Sequence, residues 1–226
     1  MHQLFCNPAA LDHGVAIVGF GTDSGKDYWT IRNSWGTSWG EAGYIRMIRG
    51  SGKCGLNTDV TTATGVTTQL VEAEAPREYA KGFVRQPRNG AVKVATITDD
   101  MRAAAPAAWD WTTQGATSPV KDHGSCGSCW AFSATERIES AVYMQHNVMP
   151  ILSTQQIISC DPNDGKCNGG DLPTAFDYVE SDGGIDTDSN YPDTSHRFGI
   201  GGSCKTHSHN VKVTDYAYAV VASPPS

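Results

Sequence analysis

The sequence predicts an α+β protein of two lobes, a β-rich one followed by a helix-rich one. Three observations carry this. Short runs of β-branched and aromatic residues separated by glycine turns dominate residues 1–65. Apolar residues at helical spacing, uninterrupted by proline, set in after residue 128. A chain of 226 residues, 39% of them hydrophobic, suffices for one compact domain or two closely packed lobes.

The elements follow in order. Residues 11–20 alternate and then run apolar through Val15, Ile17, Val18 and Phe20, as a buried strand does. A glycine-bounded turn at 21–25 leads to two further strands, 28–31 and 44–48. Residues 66–106 change character. A short helix is expected over 72–84, a loop over 85–90 and a β-like run over 91–98, while the Ala/Pro-rich stretch 103–108 reads as a linker or processing region. The third segment, 107–226, is compact again. Trp130, Phe132, Ile138 and Val142 predict a helix over 129–145, Ser153 caps a shorter one over 153–159, and a third covers 174–181. Residues 160–171 are a glycine-punctuated loop, and no internal repeat is present.

A net charge of −7 argues against nucleic acid as a partner, since that requires clustered Lys and Arg. Spanning a membrane takes roughly 20 apolar residues. The longest apolar run, Gly14 to Phe20, is far shorter, so no membrane association is expected. Residues 1–10 have neither a charged n-region nor an apolar h-region, so no signal peptide is visible. Nothing in the sequence sets the oligomeric state.

Seven cysteines, an odd number, leave one thiol unpaired in an oxidising compartment. The plainer reading is seven reduced, inert cytosolic thiols. The sharper one is three disulfides and one reactive cysteine. Cys129 opens the predicted helix 129–145, where the positive end of the helix dipole favours thiolate, the attacking species in nucleophilic catalysis.

The run Cys126-Gly-Ser-Cys129-Trp130 matches the local signature C-G-[SA]-C-[WY] of papain and cathepsin nucleophiles at every position. Together with Trp109-Asp-Trp111, Pro119-Val-Lys-Asp122, Cys167-Asn-Gly-Gly170 and Tyr191-Pro192, it resembles the mature start of papain-like cysteine peptidases, nearest the cathepsin L-like branch. Leu11-Asp-His-Gly-Val15, Tyr28-Trp-Thr-Ile-Arg-Asn-Ser-Trp-Gly36 and Trp39-Gly-Glu41 resemble the other end of the same family. The C-terminal half therefore stands before the N-terminal half. This order suits a natural circular permutation, an engineered one, or a segment spanning two tandem copies.

The resemblance implies a two-lobe fold, helical lobe plus β-barrel-like lobe, and an endopeptidase that needs no cofactor or metal. It assigns Cys129 as nucleophile, His13 as general base and Asn33 as the amide that orients it, with Trp35 and Trp39 shielding the pair. Gly127, Gly169, Gly170, Asp12 and Trp35 become substrate-binding positions, and Asp59 the pocket floor, where a carboxylate would admit a basic side chain; the alternative is a solvated aspartate. Three disulfides follow by the same resemblance: Cys126–Cys167, Cys160–Cys204 and Cys6–Cys54. Polypeptide substrates, peptide-like or cystatin-type inhibitors and a lysosomal, vacuolar or secreted location are implied with them.

Two departures stand out. Where the family has an oxyanion-donating glutamine, six residues before the nucleophile, this chain has His123. A histidine N–H substitutes only with the right tautomer, and losing one such donor typically costs about 10²–10³-fold in rate. Residues 66–106 resemble the tail of a family propeptide, in Arg77-Glu-Tyr-Ala80 and Gly82-Phe-Val-Arg85, without its long helical front; alternatively 89–95 replaces a strand of the β lobe. Several tens of residues of that lobe, a helix and a core strand, are missing. The rival function is accordingly a catalytically weak homologue acting as a binding or structural subunit. A thiol oxidoreductase, suggested by Cys126-Gly-Ser-Cys129, lacks the βαβ context that motif needs. A zinc site would draw on His207-Ser-His209, although His2, His146, His196, His207 and His209 read more simply as filler positions.

Overall fold

A computed structural model describes residues 10–68, 82–86 and 94–221. In chain order the elements are β1 (Ala16–Asp23), β2 (Lys26–Arg32), β3 (Tyr44–Ile48), β4 (Thr61–Thr68), β5 (Val94–Ile97), α1 (Asp99–Ala104), β6 (Trp109–Asp110), α2 (Cys129–His146), α3 (Thr154–Cys160), α4 (Leu172–Asp182) and β7 (Val211–Val221).

β1 and β2 form a hairpin whose two-residue turn, Ser24 and Gly25, has positive φ at both positions (51° and 72°). Such a turn matches the right-handed twist of paired strands. β3 pairs with β2 and the two-residue β6 with the far edge of β1, giving the antiparallel order β3-β2-β1-β6. A small apolar cluster of Ile31, Ile45 and Met47 lies on this sheet with Trp29, Trp39 and Leu56 against it.

The main core is built on α2. Trp130, Phe132, Ala134, Ile138 and Val142 are buried, with Ile157 and Ile158 from α3 and Phe176 and Val179 from α4. Ser153 accepts a hydrogen bond from the Gln156 amide and so starts α3, while Asn147 in the left-handed region ends α2 by donating to the Tyr143 carbonyl. A second sheet, β4-β7-β5, packs beside these helices, with β4 antiparallel and β5 parallel to β7.

Several expectations need correction. The boundary at 65 falls inside β4, whose strand pairs with β7 from the last segment, because tertiary pairing rather than chain order selects the partner. β7 itself was not anticipated, although buried Val211 and Val213 alternate with exposed Lys212 and Thr214. Most of the expected helix over 72–84 lies outside the described residues. Its end at residues 82–84 is extended instead, because its backbone bonds to another segment rather than to itself. Within the β-like run 91–98, residues 94–97 form β5, and the exposed helix α1, capped by Thr98, runs into the first two residues of the stretch expected as linker, 103–108.

Candidate active site

Three elements converge at the N-terminus of α2. β1 is preceded by the loop carrying Asp12, His13 and Gly14; β2 runs directly into Asn33, Ser34 and Trp35; α2 begins at Cys129. A buried polar network holds β2 onto α2. The Arg32 guanidinium, 1% exposed, pairs with Glu136 at 3.0 Å and donates to the Ser118 carbonyl and hydroxyl. Ser118 in turn donates to Glu139, which also takes Lys121 at 2.5 Å. Backbone bonds from Gly36 to the Lys121 carbonyl and from His123 to the Ser34 carbonyl close the same seam. Asn33 follows Arg32 in the chain, so this network fixes the register of the site.

His13 Nε2 lies 2.7 Å from Asn33 Oδ1. That oxygen also accepts the Ser34 backbone N–H at 2.9 Å, which identifies it as the carbonyl end of the amide and puts the imidazole proton on Nε2. Nδ1 is left as the basic nitrogen. The imidazole stacks on Trp35 with centroids 4.8 Å apart, and Trp39 meets Trp35 edge-on at 5.2 Å. Cys129 is fully buried and is the free cysteine of the described residues; its Sγ accepts the Gly14 backbone N–H at 3.3 Å. Burial pushes its thiol pKa up to about 11, against the opposing pull of backbone N–H groups of Gly14, Gly82 and Trp130. The thiol is therefore protonated at neutral pH.

Gly82 lies against the thiol, with its backbone N–H on the Cys129 sulfur, and residues 82–86 continue from there. The Gly82 carbonyl accepts from the Gly170 N–H (2.9 Å), the Val84 N–H donates to the Gly170 carbonyl (2.8 Å), and the Phe83 N–H donates to the Asp12 carbonyl (3.1 Å). An extended peptide thus occupies the groove between Gly170 and Asp12. Gly82 passes so close to Gly127 that a Cβ would stand 1.6 Å from the Gly127 carbonyl oxygen, so only glycine fits. Beyond it, Arg85 donates to Asp59 at 2.9 and 2.5 Å, and the Asp59 side chain is 7% exposed. Phe83 and Asp59 line a cavity of about 360 Å³ together with Leu11, Val15, Leu56 and Leu172. Nothing but Gly82-Phe-Val-Arg85 itself signalled this placement in the sequence.

His123 is fully buried and sits edge-on to His13 with centroids 6.1 Å apart. Trp35 Nε1–H donates to its Nε2 at 3.0 Å. An indole nitrogen only donates, so Nε2 is the acceptor, and Nδ1–H then faces the Gly124 carbonyl at 3.2 Å. Burial first, and the charge of His13 second, lower its pKa to about 4. The arrangement runs against the expected oxyanion role: both ring nitrogens are engaged, and no ring N–H remains for a substrate.

The disulfides Cys126–Cys167 and Cys160–Cys204 are formed; the first ties the turn before α2 to the loop carrying Gly169 and Gly170. The pairing expected for Cys54 involves Cys6, which lies outside the described residues.

The family model described as papain family cysteine protease matches residues 1–64 and 105–224. Cysteine proteinase 1 of Zea mays is 33% identical over 181 residues, 73% of this chain and 47% of that protein. Digestive cysteine proteinase 1 of Homarus americanus is 40% identical over 148 residues, 63% of this chain and 42% of that protein. Among solved structures, the recombinant stem bromelain precursor superposes with a TM-score of 0.51 at 31% identity, covering 55% of this chain and 40% of that one. An α+β fold in which a buried thiol opens a helix, its sulfur bonded by the N–H of Gly14 next to the His13–Asn33 pair, defines a cysteine-protease-like protein. The chain belongs to the papain family of cysteine proteases. It spans less than half the length of these curated relatives.

Proposed function

We propose that the protein is a cysteine endopeptidase held latent by its own residues 82–86. The observation that carries this reading is the pairing of Asn33 Oδ1 with His13 Nε2, which leaves His13 Nδ1 basic, while the next residue, Gly14, bonds the Cys129 sulfur at the head of α2. Once the groove is vacated, Nδ1 takes the Cys129 proton and the thiolate attacks the substrate carbonyl carbon. The resulting imidazolium, stabilised by Asn33, gives that proton to the leaving amine as the C–N bond breaks and a thioester forms. Water, deprotonated by His13, then hydrolyses the thioester. The Cys129 backbone N–H, at the first position of α2 where no helix carbonyl precedes it, is the donor offered to the oxyanion.

Residues 82–86 support latency because they already use the backbone groups of Gly170 and Asp12 that an extended substrate needs. Their position favours the propeptide-tail reading of 66–106. The Arg85–Asp59 pair supports a pocket floor that accepts a basic side chain. We read the chain order as a permutation, supported by the contacts of Gly14 with Cys129 and Arg32 with Glu136 within a single molecule. The reading that part of the β-rich lobe is absent is supported by exposed Ile17, Trp109 and Trp111 beside the short edge strand β6. Two disulfides fit an oxidising compartment, vacuolar, lysosomal or secreted.

Labelling with a thiol-directed peptidyl epoxide tests the function. One modification per chain at Cys129, lost in His13→Ala, is expected once residues 66–106 are cleaved. Absence of labelling in the folded, cleaved protein would leave a binding subunit. Turnover of peptides with Arg or Leu as the second residue before the scissile bond, by the parent and Asp59→Ala, tests the pocket. The Arg/Leu ratio is expected to fall in the variant, and an unchanged ratio removes Asp59 from specificity.

A further inference from the structure

Away from the groove, α4 ends at Asp182 beside the segment that leads into β7. Gly184, with φ of +148°, lets that segment cross closely: a Cβ there would stand 2.6 Å from the Val211 carbonyl and 2.9 Å from the His209 Cβ. The Ile185–Val211 bridge fixes the crossing, and Asp186 accepts the Ser208 N–H at 2.8 Å and the Asn210 side-chain amide. Residues 208 and 210 are thereby clamped on one side, and His207 and His209 both face Asp182. His207 Nε2 is 2.7 Å and His209 Nε2 3.3 Å from the same oxygen, Asp182 Oδ2, and all three atoms lie within 4.8 Å of one another.

The hydrogen-bond chemistry of this cluster is unusual. His207 Nδ1 faces the Lys205 carbonyl at 2.8 Å and must carry a proton there. A neutral His207 then turns its Nε2 lone pair toward a carboxylate oxygen, two electron-rich atoms at 2.7 Å. At that separation a second ring proton bridges the two atoms, and a metal ion binding here would displace that proton and take its place as the cation. Asp182 is held in place by Gln156 Nε2 and the Tyr178 hydroxyl, which donate to the same Oδ2 at 3.2 and 3.3 Å. A histidine fixed by a backbone carbonyl and a carboxylate fixed by neighbouring donors are the outer contacts that orient metal ligands. Tetrahedral zinc, with bonds near 2.0–2.1 Å, sets ligand atoms about 3.3 Å apart; the His209–Asp182 separation already has that value, and the His207–Asp182 pair at 2.7 Å would open by about 0.6 Å to take the ion. Cys160 and Cys204 lie nearby but are bonded to each other and offer no thiolate.

We propose that Asp182, His207 and His209 form a binding site for a divalent transition-metal ion of the zinc type, open to solvent at the fourth position. The ion would tie the C-terminus of α4 to the start of β7, independently of the catalytic groove. It revises the reading of His207-Ser-His209 as filler.

The test uses the full chain in a Cys129→Ser background, so that the groove thiol offers no competing ligand. Zinc binding is followed by calorimetry, and cobalt(II) by its visible absorption. One ion per chain is expected, with the intense bands of tetrahedral cobalt and a rise in melting temperature on adding zinc. His209→Ala is the discriminating variant, because its side chain is 42% exposed and its loss leaves the fold intact. It should weaken zinc binding roughly tenfold or more. Asp182→Asn should do the same. No cobalt bands, or equal zinc affinity in the parent and in His209→Ala, would overturn the site and leave a proton-bridged ion pair.

Discussion

At the scale of single residues, His123 is the side chain whose role differs most from its position in the motif. It accepts from Trp35 and donates to Gly124, and thereby holds the indole against His13. A glutamine offers an acceptor and a donor at once, so His123→Gln can keep the Trp35 bond and present an N–H to the oxyanion. In the activated protein we expect kcat to rise, within the roughly 10²–10³-fold worth of one oxyanion donor. A fall in kcat would mean that the histidine is adapted to its place. His123 also makes a pH prediction. Its pKa drops from an ordinary 6.5 to about 4 in the folded state, so between those values the unfolded chain binds the extra proton. The stability it permits is complete above about pH 6.5 and declines as pH falls toward 4. Melting curves of the parent and His123→Gln should diverge across that window, with the parent the more acid-sensitive. Parallel curves would place the proton elsewhere.

At the scale of elements, residues 82–86 behave as a strand bound in the groove without joining a sheet. Their retention depends on three backbone hydrogen bonds, the Arg85–Asp59 pair and the absence of a Cβ at Gly82. Gly82→Ala must push the strand away from Gly127, since a backbone carbonyl cannot yield as a flexible side chain does. Cys129 in the uncleaved variant should then react faster with the epoxide, about tenfold for each 1.4 kcal/mol by which the strand is loosened. Equal reactivity of parent and variant would show that the segment does not gate the thiol. The same substitution should bring the thiol pKa down from about 11, because the cause of its elevation is burial.

At the scale of the whole molecule, the segments that carry His13 and Cys129 are far apart in sequence, and the Arg32–Glu136 pair is a principal bolt between them. Both side chains are buried, 1% and 2% exposed, so removing one leaves the other charged and without its partner in the interior. Arg32→Ala should cost about 3–5 kcal/mol in denaturant unfolding, against a far smaller loss for the exposed pair Arg46–Asp23. A loss below about 1 kcal/mol would mean that β2 is held to α2 by packing alone. Activity should fall with stability in Arg32→Ala, since Asn33 is the next residue.

The sequence by itself determined the strands 28–31 and 44–48, the α2 and α3 helices with the Ser153 cap, and the identity of the reactive-thiol motif. Each of these rests on local periodicity, capping or a contiguous signature, which neighbouring residues fully specify. Only the tertiary structure decided that β4 pairs with β7, that residues 82–84 are extended in the groove, and that the nitrogens of His123 are already engaged. It alone brought His207 and His209 to Asp182. Those outcomes depend on which backbone and side-chain groups meet from distant parts of the chain. A strand's partner, a histidine's tautomer and a cluster of ligand atoms are properties of what lies opposite, and spacing along one chain does not carry that information.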